Sequence, residues 1–164
     1  MGGSKGGRGA YGFRLIELMI LTLVITVVAA FAYPQYQNFA ARTQVTRALK
    51  ETADMKLIVE NCLLNDLAPV GQEATECDPK VAPSKYLVGA TQGAPFPPSV
   101  AGGVPQIAPA NLGLPLTITA TFGNAAFASL QKAGQNTLVW TKDVSGTWTC
   151  TATVPTEYRP VSCK

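Results

Sequence analysis

The sequence predicts an α+β fold, in which one long N-terminal helix packs on a small antiparallel β-sheet of three to four strands. Three patterns support this prediction. A long apolar stretch lies near the N-terminus, residues with helical spacing follow it, and the C-terminal third contains segments that alternate polar and apolar residues as strands do. The chain has 164 residues, about the length of one ordinary domain.

The composition argues against an enzyme and against a protein that binds nucleic acid through a strongly basic face. Apolar residues make up 47% of the chain and charged residues 14%, against about 25% charged residues in a typical domain. The net charge is +3, which is too small for a clustered basic surface. The sequence has no histidine, so it lacks the usual general base and the commonest metal ligand. We therefore expect no catalytic site, no metal and no cofactor.

The N-terminus has the outline of a membrane-targeting segment. Residues 1–12 are rich in glycine and carry two cations, Lys5 and Arg8, and no acid. Residues 18–33 follow without a single charge. Counted from Phe13, the apolar segment is long enough to cross about 30 Å of hydrocarbon as a helix.

Composition leaves two interpretations of this segment open. A secretory signal peptide would be cleaved after Ala32 and would release a soluble protein that begins at Tyr33. Alternatively, the segment is retained as a single anchor. Glu17 favours retention, because an acidic or basic residue at the centre of a membrane helix costs about 2.5–3.5 kcal/mol on insertion scales and is by default functional.

Segment 12–19, GFRLIELM, resembles the cleavage and methylation motif of type IV pilins. The resemblance implies that a prepilin peptidase cuts after Gly12 and N-methylates the new terminal residue, Phe13. In the family a glutamate follows four residues after the methylated residue, and Glu17 stands at that position here.

The resemblance continues beyond this motif. Segment 33–38, YPQYQN, resembles the family's stretch after the apolar segment, including its proline, Pro34. Segment 146–150 and the terminal pair 163–164 resemble the disulfide-bounded C-terminal loop of these pilins. The short leader and the phenylalanine start resemble the type IVa subgroup.

The spacing of Phe13 and Glu17 has a physical meaning in such a polymer. In a packed bundle of apolar helices, the terminal amine of Phe13 and the carboxylate of Glu17 both lose their water. Pairing the amine of one subunit with Glu17 of its neighbour would offset that cost, so we expect Glu17 to set the axial register of assembly. Arg14 lies three residues before Glu17, and we expect it to pair with Glu17 within one helix and to compete with the neighbour's amine.

The predicted helix runs from Phe13 to about Leu63 and is bent or loosened near Pro34, because proline removes one i→i−4 hydrogen bond. In its second half, residues spaced by three and four form one face that should pack on the sheet. These residues are Val45, Leu49, Thr52, Met55, Val59, Cys62 and Leu63.

The rest of the chain is predicted to be a loop region followed by strands. Proline and glycine are frequent from residue 65 to residue 113, where only Tyr86–Val88 is predicted as a short strand. Strands are predicted at 116–122, 137–142 and 147–153, with a turn at 143–146. The predicted segments are thus a cleaved leader 1–12, a membrane and filament-core helix 13–34, an amphipathic helix half 35–64, a connecting loop region 65–113, and a sheet with its C-terminal loop 114–164.

Four cysteines in an exported chain predict two disulfides, for which three connectivities are open. We favour Cys62–Cys77 and Cys150–Cys163, because the members of each pair are neighbours in sequence. Each would close a short loop and contribute about 3 kcal/mol in the chain-entropy model. The second pair also bounds the C-terminal loop that the resemblance implies.

The resemblance implies a structural subunit that polymerises into a bacterial type IV pilus after peptidase cleavage and N-methylation, and that supports adhesion, twitching motility and DNA uptake. The implied partners are further copies of the chain, the prepilin peptidase, the assembly machinery of the inner membrane, membrane lipid before assembly, and host or abiotic surfaces. A role for nucleic acid is left open. The implied location is the inner membrane as a single-pass precursor, then the extracellular pilus. The alternatives are a minor pilin, a type II secretion pseudopilin, and a soluble periplasmic binding module released after Ala32.

Overall fold

The computed structural model describes residues 14–93 and 101–163. Helix α1 spans Leu15–Leu64 and is followed by β1 (Leu87–Val88), β2 (Gln106–Ala108), β3 (Leu116–Phe122), β4 (Thr137–Lys142) and β5 (Trp148–Ala152). A short 3-10 turn, Ala128–Leu130, lies between β3 and β4. The described residues form two compact units, one within 1–36 and one within 37–164, and α1 contributes to both. The predicted α+β class, a long N-terminal helix with an antiparallel sheet, is confirmed.

Helix α1 continues as an α-helix through Pro34, so the loss of one backbone hydrogen bond there does not end it. It ends at Leu64, one residue beyond the predicted end. The amide of Leu67 donates to the carbonyl of Cys62 at 3.0 Å, and Asp66 has a φ of 53°. This is the hydrogen-bond pattern of a Schellman cap, with aspartate in the left-handed position that glycine usually takes.

The sheet is antiparallel throughout, and β3 lies at its centre. Its strand order is β1-β3-β4-β5, with β2 also paired to β3. Ile118 of β3 is opposite Trp140 of β4 and opposite Ile107 of β2. The turn between β4 and β5 closes at the predicted position, because the Asp143 carboxylate accepts hydrogen bonds from the amides of Ser145 and Thr147, both at 2.9 Å.

Within the residues that the structure describes, the sheet has five strands, so the prediction of three to four strands was too low. The unpredicted strand is β2, which is only three residues long and lies between Pro105 and Pro109. Its outer edge is covered by a side chain: Gln92 accepts a hydrogen bond from the amide of Ile107 at 2.6 Å and donates one to its carbonyl at 2.9 Å. The backbone groups on the outer edge of β2 are thus hydrogen-bonded by a residue 15 positions away, so the sequence of β2 itself has no pattern that predicts a strand.

The core of unit 37–164 lies between the second half of α1 and the sheet. The buried residues of α1 follow the predicted face, and they are Ala41, Gln44, Val45, Ala48, Thr52, Met55, Val59 and Cys62. Leu49 and Leu63 are partly buried beside them. Strand β3 alternates buried and half-buried residues along its whole length, as its sequence predicts.

Two disulfides fasten the ends of this unit. Cys62–Cys77 joins the last turn of α1 to the following loop, with a Cα–Cα distance of 5.5 Å. Cys150–Cys163 joins β5 to the C-terminal loop, with a Cα–Cα distance of 4.5 Å. Both pairings are the ones favoured from the sequence.

Candidate assembly surface

The first half of α1 presents apolar side chains on every side. Among residues 14–36, every residue is exposed, and the large apolar side chains expose between 47% and 76% of their surface. The hydroxyls of Thr22 and Thr26 donate to the carbonyls of Met19 and Leu23 within the helix, at 3.0 and 2.8 Å. The helix is long and apolar enough to cross a membrane, by length and composition. An apolar surface of this size calls for a partner, either lipid or other copies of the helix.

Glu17 lies in the first turn of α1, where its carboxylate is exposed. It accepts a hydrogen bond from the backbone amide of Arg14 at 3.0 Å. The acid therefore satisfies one of the free N–H groups at the start of the helix and complements the helix dipole there.

The predicted ion pair between Arg14 and Glu17 is not formed. Within the described residues the ion pairs are Arg47–Glu51 and Lys142–Glu60. The Glu17 carboxylate instead accepts a hydrogen bond from the main chain of Arg14, and the Arg14 side chain is exposed.

The predicted site residues fall into two groups. Glu17 and Pro34 both lie in α1, in the part that precedes the globular unit. Gly12, Phe13 and the leader lie outside the described residues.

A polar cluster joins α1 to strands β4 and β5. The Glu60 carboxylate accepts hydrogen bonds from the Lys142 ammonium at 2.5 Å and from the Trp148 indole at 2.6 Å. The Lys142 hydrogen bond, and after it that of Trp148, lowers the pKa of Glu60. Lys142 itself is only 7% exposed, so this pairing keeps a buried cation from being left uncompensated.

A second lysine completes the cluster. The ammonium of Lys56 lies 3.6 Å from the ring centre of Trp140 and 5.4 Å from that of Trp148. Burial lowers the pKa of Lys56. The Trp140 indole donates to the Thr52 hydroxyl at 3.2 Å. These contacts hold the second half of α1 on the sheet.

This cluster was not predicted from the sequence. One feature of the sequence pointed to it. Residues two apart in a strand lie on the same face, so Lys142 shares a face of β4 with Leu138 and Trp140. In the structure Leu138 and Lys142 are both buried. A cation on the covered face of a strand requires a partner.

The C-terminal loop contacts the start of the second half of α1. The Tyr158 hydroxyl and the Asn38 side chain are hydrogen-bonded at 3.1 Å. The Arg42 Nε donates to the carbonyl of Glu157 at 2.6 Å. The loop bounded by Cys150 and Cys163 therefore positions the first turns of α1 in the globular unit.

Comparison with known proteins identifies the family. The family model for pilins, the subunits of bacterial filaments, matches residues 41–164. The chain is 40% identical to a "Probable minor fimbrial protein" of Dichelobacter nodosus over 94% of each chain. It is 39% identical to a "Type IV major fimbrial protein FimA" of the same organism, over 93% of this chain and 95% of that protein. The chain is a type IV pilin.

A "Fimbrial protein" of Pseudomonas aeruginosa is 34% identical to this pilin, over 91% of the pilin and 90% of the relative. Membership of the family makes the chain a structural, non-enzymatic pilus subunit that polymerises into an extracellular filament. The exposed apolar half of α1 is the surface that such a polymer requires.

Proposed function

We propose that the pilin is made as a single-pass precursor in the inner membrane and is processed before assembly. The prepilin peptidase removes leader 1–12 and methylates the amine of Phe13. Removing Lys5 and Arg8 takes two charges away from the apolar segment, which can then leave the bilayer without moving them across it. The observation that carries the proposal is the first half of α1, which is apolar and exposed on all sides and bears an acid in its first turn.

Assembly then pairs the Phe13 amine of one subunit with Glu17 of its neighbour. The Glu17 carboxylate caps its own helix through the Arg14 amide. A carboxylate has two oxygens and several acceptor sites, so it can accept the neighbour's ammonium at the same time. The pairing favours one axial register, because a carboxylate left alone among apolar helices is costly.

The filament supports adhesion, twitching motility and DNA uptake. Its partners are the assembly machinery of the inner membrane and the host or abiotic surfaces that the exposed loops meet. The relatives include proteins named as major and as minor fimbrial proteins. A minor pilin or a type II secretion pseudopilin is therefore the nearest alternative, and the share of this chain in purified filaments decides it.

The test is the intact mass and N-terminal sequence of protein sheared from cell surfaces. The proposal predicts a chain of residues 13–164 that begins with methylated Phe13. A chain beginning at Tyr33 would instead mean signal-peptide cleavage and a soluble periplasmic module. A chain that keeps Met1 would contradict processing altogether.

A further inference from the structure

The exposed face of α1 in the globular unit carries a cationic groove of about 520 Å³. The groove is lined by Phe39, Arg42, Thr43, Thr46, Arg47 and Lys50. All six side chains come from three successive turns of α1, on the side away from its buried face. None of its lining residues is acidic. Phe39 is 70% exposed, which makes it an apolar side chain with little cover from its own chain.

The polar groups that the groove offers to a partner are chiefly its three charged side chains, Arg42, Arg47 and Lys50. The hydroxyls of Thr43 and Thr46 donate back to carbonyls of α1, both at 2.9 Å. The Arg42 Nε donates a hydrogen bond to the Glu157 carbonyl. The Arg47 Nε forms an ion pair with the Glu51 carboxylate at 2.8 Å. Acids also lie on the next turn of α1 and in the C-terminal loop, but the groove lining itself carries three cations. The groove therefore suits a partner that brings carboxylates.

A second groove of about 580 Å³ lies near the other end of α1 in the same unit. Its polar wall carries Glu73, Glu76 and Asp78, with Lys80 as its one cation among the lining residues. Its apolar wall is formed by Leu57, Ile58 and Leu67, and the Leu57 side chain is 72% exposed. We call it the acidic groove.

The two grooves complement each other in charge and in apolar character. Three cations and an exposed phenylalanine stand on one side, and three carboxylates and aliphatic side chains stand on the other. They lie at different heights, since Arg47 and Asn61 are separated by about 21 Å along the helix at 1.5 Å per residue. One molecule cannot join its own two grooves, whereas two copies displaced along the helix direction can.

The charges near the C-terminal end of α1 also favour a cationic partner from another copy of the chain. The last turn of the helix contains no basic residue, and Asp66 lies two residues after its end at Leu64. Negative charge beside a helix C-terminus is unfavourable within one molecule, because it adds to the negative end of the helix dipole. Cations supplied by another copy would remove that cost.

We propose that the cationic groove of one pilin subunit binds the acidic groove of a neighbouring subunit in the filament. Phe39 lies against the Leu57 wall, and Lys50 and Arg47 face Glu73. This is a heterologous contact, in which two different surfaces meet, and such contacts generate open helical polymers. It rests on the polymerisation of the pilin and adds a contact between globular units to the contact made by the apolar helices.

The first experiment tests the contact in filaments by cross-linking. The described cysteines are all in disulfides, so new cysteines can be placed without a free partner nearby. Full-length pilin carrying Thr46→Cys and Glu73→Cys together should form covalent dimers and higher oligomers in sheared filaments under oxidising conditions. Thr46→Cys alone or Glu73→Cys alone should not give this ladder of cross-linked oligomers. Filaments that form normally but give no ladder with the double variant would overturn the proposal.

The second experiment uses charge exchange. Lys50→Glu should lower the yield of sheared filaments about two- to fivefold, the range expected for one exposed ion pair, and 0.5 M salt should narrow the difference from wild type. Adding Glu73→Lys should restore at least half of the loss, because the pair is then reversed. Lys132→Glu is the matched control, since Lys132 is an exposed lysine outside both grooves and should leave the yield unchanged.

The outcomes separate this contact from the other roles of the protein. If Lys50→Glu leaves filaments intact but abolishes binding of duplex DNA to them, the groove is a nucleic-acid surface and the proposal is wrong. If the wild-type chain is not processed or forms no filament at all, the proposed function fails first. Filaments with correct termini and no effect of the charge exchange refute the groove contact alone.

Discussion

The first half of α1 is exposed on all sides, whereas the second half buries one face in the core of its own unit. Both halves belong to one uninterrupted helix, Leu15–Leu64. Residues 14–36 show no buried position, but the second half buries eight residues from Ala41 to Cys62. Isolated helices are only marginally stable in water, so each half needs a partner. The second half finds its partner within the chain, and the first half must find one outside it, in lipid or in other subunits.

This difference means that the same kind of substitution should act on different properties in the two halves. In the first half it should change assembly and leave the folded unit intact. In the second half it should change the free energy of unfolding. The exposed face of the second half, which carries the cationic groove, should behave like the first half.

The largest effect is expected for Glu17→Gln. The variant leaves the Phe13 amine without its carboxylate in the packed helices, and breaking a buried pair by removing one partner costs about 3–5 kcal/mol. Filament yield should fall at least a hundredfold, while cleavage at Gly12 and the unfolding temperature stay unchanged. Immunoblots of sheared and membrane fractions measure this. Asp54→Asn, an exposed acid in the second half, is the control. Normal filament yield from Glu17→Gln would remove the assembly role of this residue.

The next effect compares two residues two positions apart on α1. Met55 is 1% exposed and Leu57 is 72% exposed. Met55→Ala opens a cavity in the core and should cost about 2–5 kcal/mol of unfolding free energy. Leu57→Ala should change it by less than about 0.5 kcal/mol. Thermal unfolding of the full chain in detergent, followed by near-ultraviolet circular dichroism, measures both. Equal losses would contradict the division of α1 into a covered and an open face.

The third effect concerns the loop that holds the start of the second half. Replacing Cys150 and Cys163 together by serine should lower stability by about 3 kcal/mol. It should also speed hydrogen exchange in α1 near Asn38 and Arg42, which contact this loop. Replacing Cys62 and Cys77 by serine should instead speed exchange in the last turn of α1. The same exchange pattern from both variants would show that the disulfides act only on the unfolded chain.

The parts of the fold that were predicted correctly are those with a local pattern. Strand β3 alternates residue by residue, and the buried face of α1 repeats every three or four residues. Strand β2 was missed because its pairing with β3 and the cover by Gln92 come from other parts of the chain. Short strands between prolines resemble loops until their partners are known.

The same distinction between local and distant patterns applies to the assembly surface and the polar cluster. Its apolar stretch and Glu17 are visible in the sequence, because a long uncharged run with one acid near its start is unusual. The hydrogen bond from the Arg14 amide was not predicted, since helix-start geometry decides it. The cluster around Glu60 needs Lys142 and Trp148, which lie 82 and 88 residues away. No local pattern joins residues so far apart.

The smallest effect is a pH dependence of stability that arises at Glu60 in the second half of α1. Hydrogen bonds from Lys142 and Trp148 lower the pKa of Glu60 in the folded state. The unfolded chain therefore holds this proton more strongly, and stability falls as the pH drops from about 5 through the lowered pKa.

Because the Glu60 side chain is 37% exposed, solvent screening should limit the contribution to about 1 kcal/mol or less. Glu60→Gln should thus be less stable than wild type at pH 7, and the difference should be smaller at pH 3. Denaturant unfolding at both pH values measures this, and Lys142→Met should shrink the same pH difference by removing the stronger of the two hydrogen bonds. A pH dependence that is unchanged in both variants would show that other carboxylates cause it, and that the cluster stabilises α1 through its aromatic contacts alone.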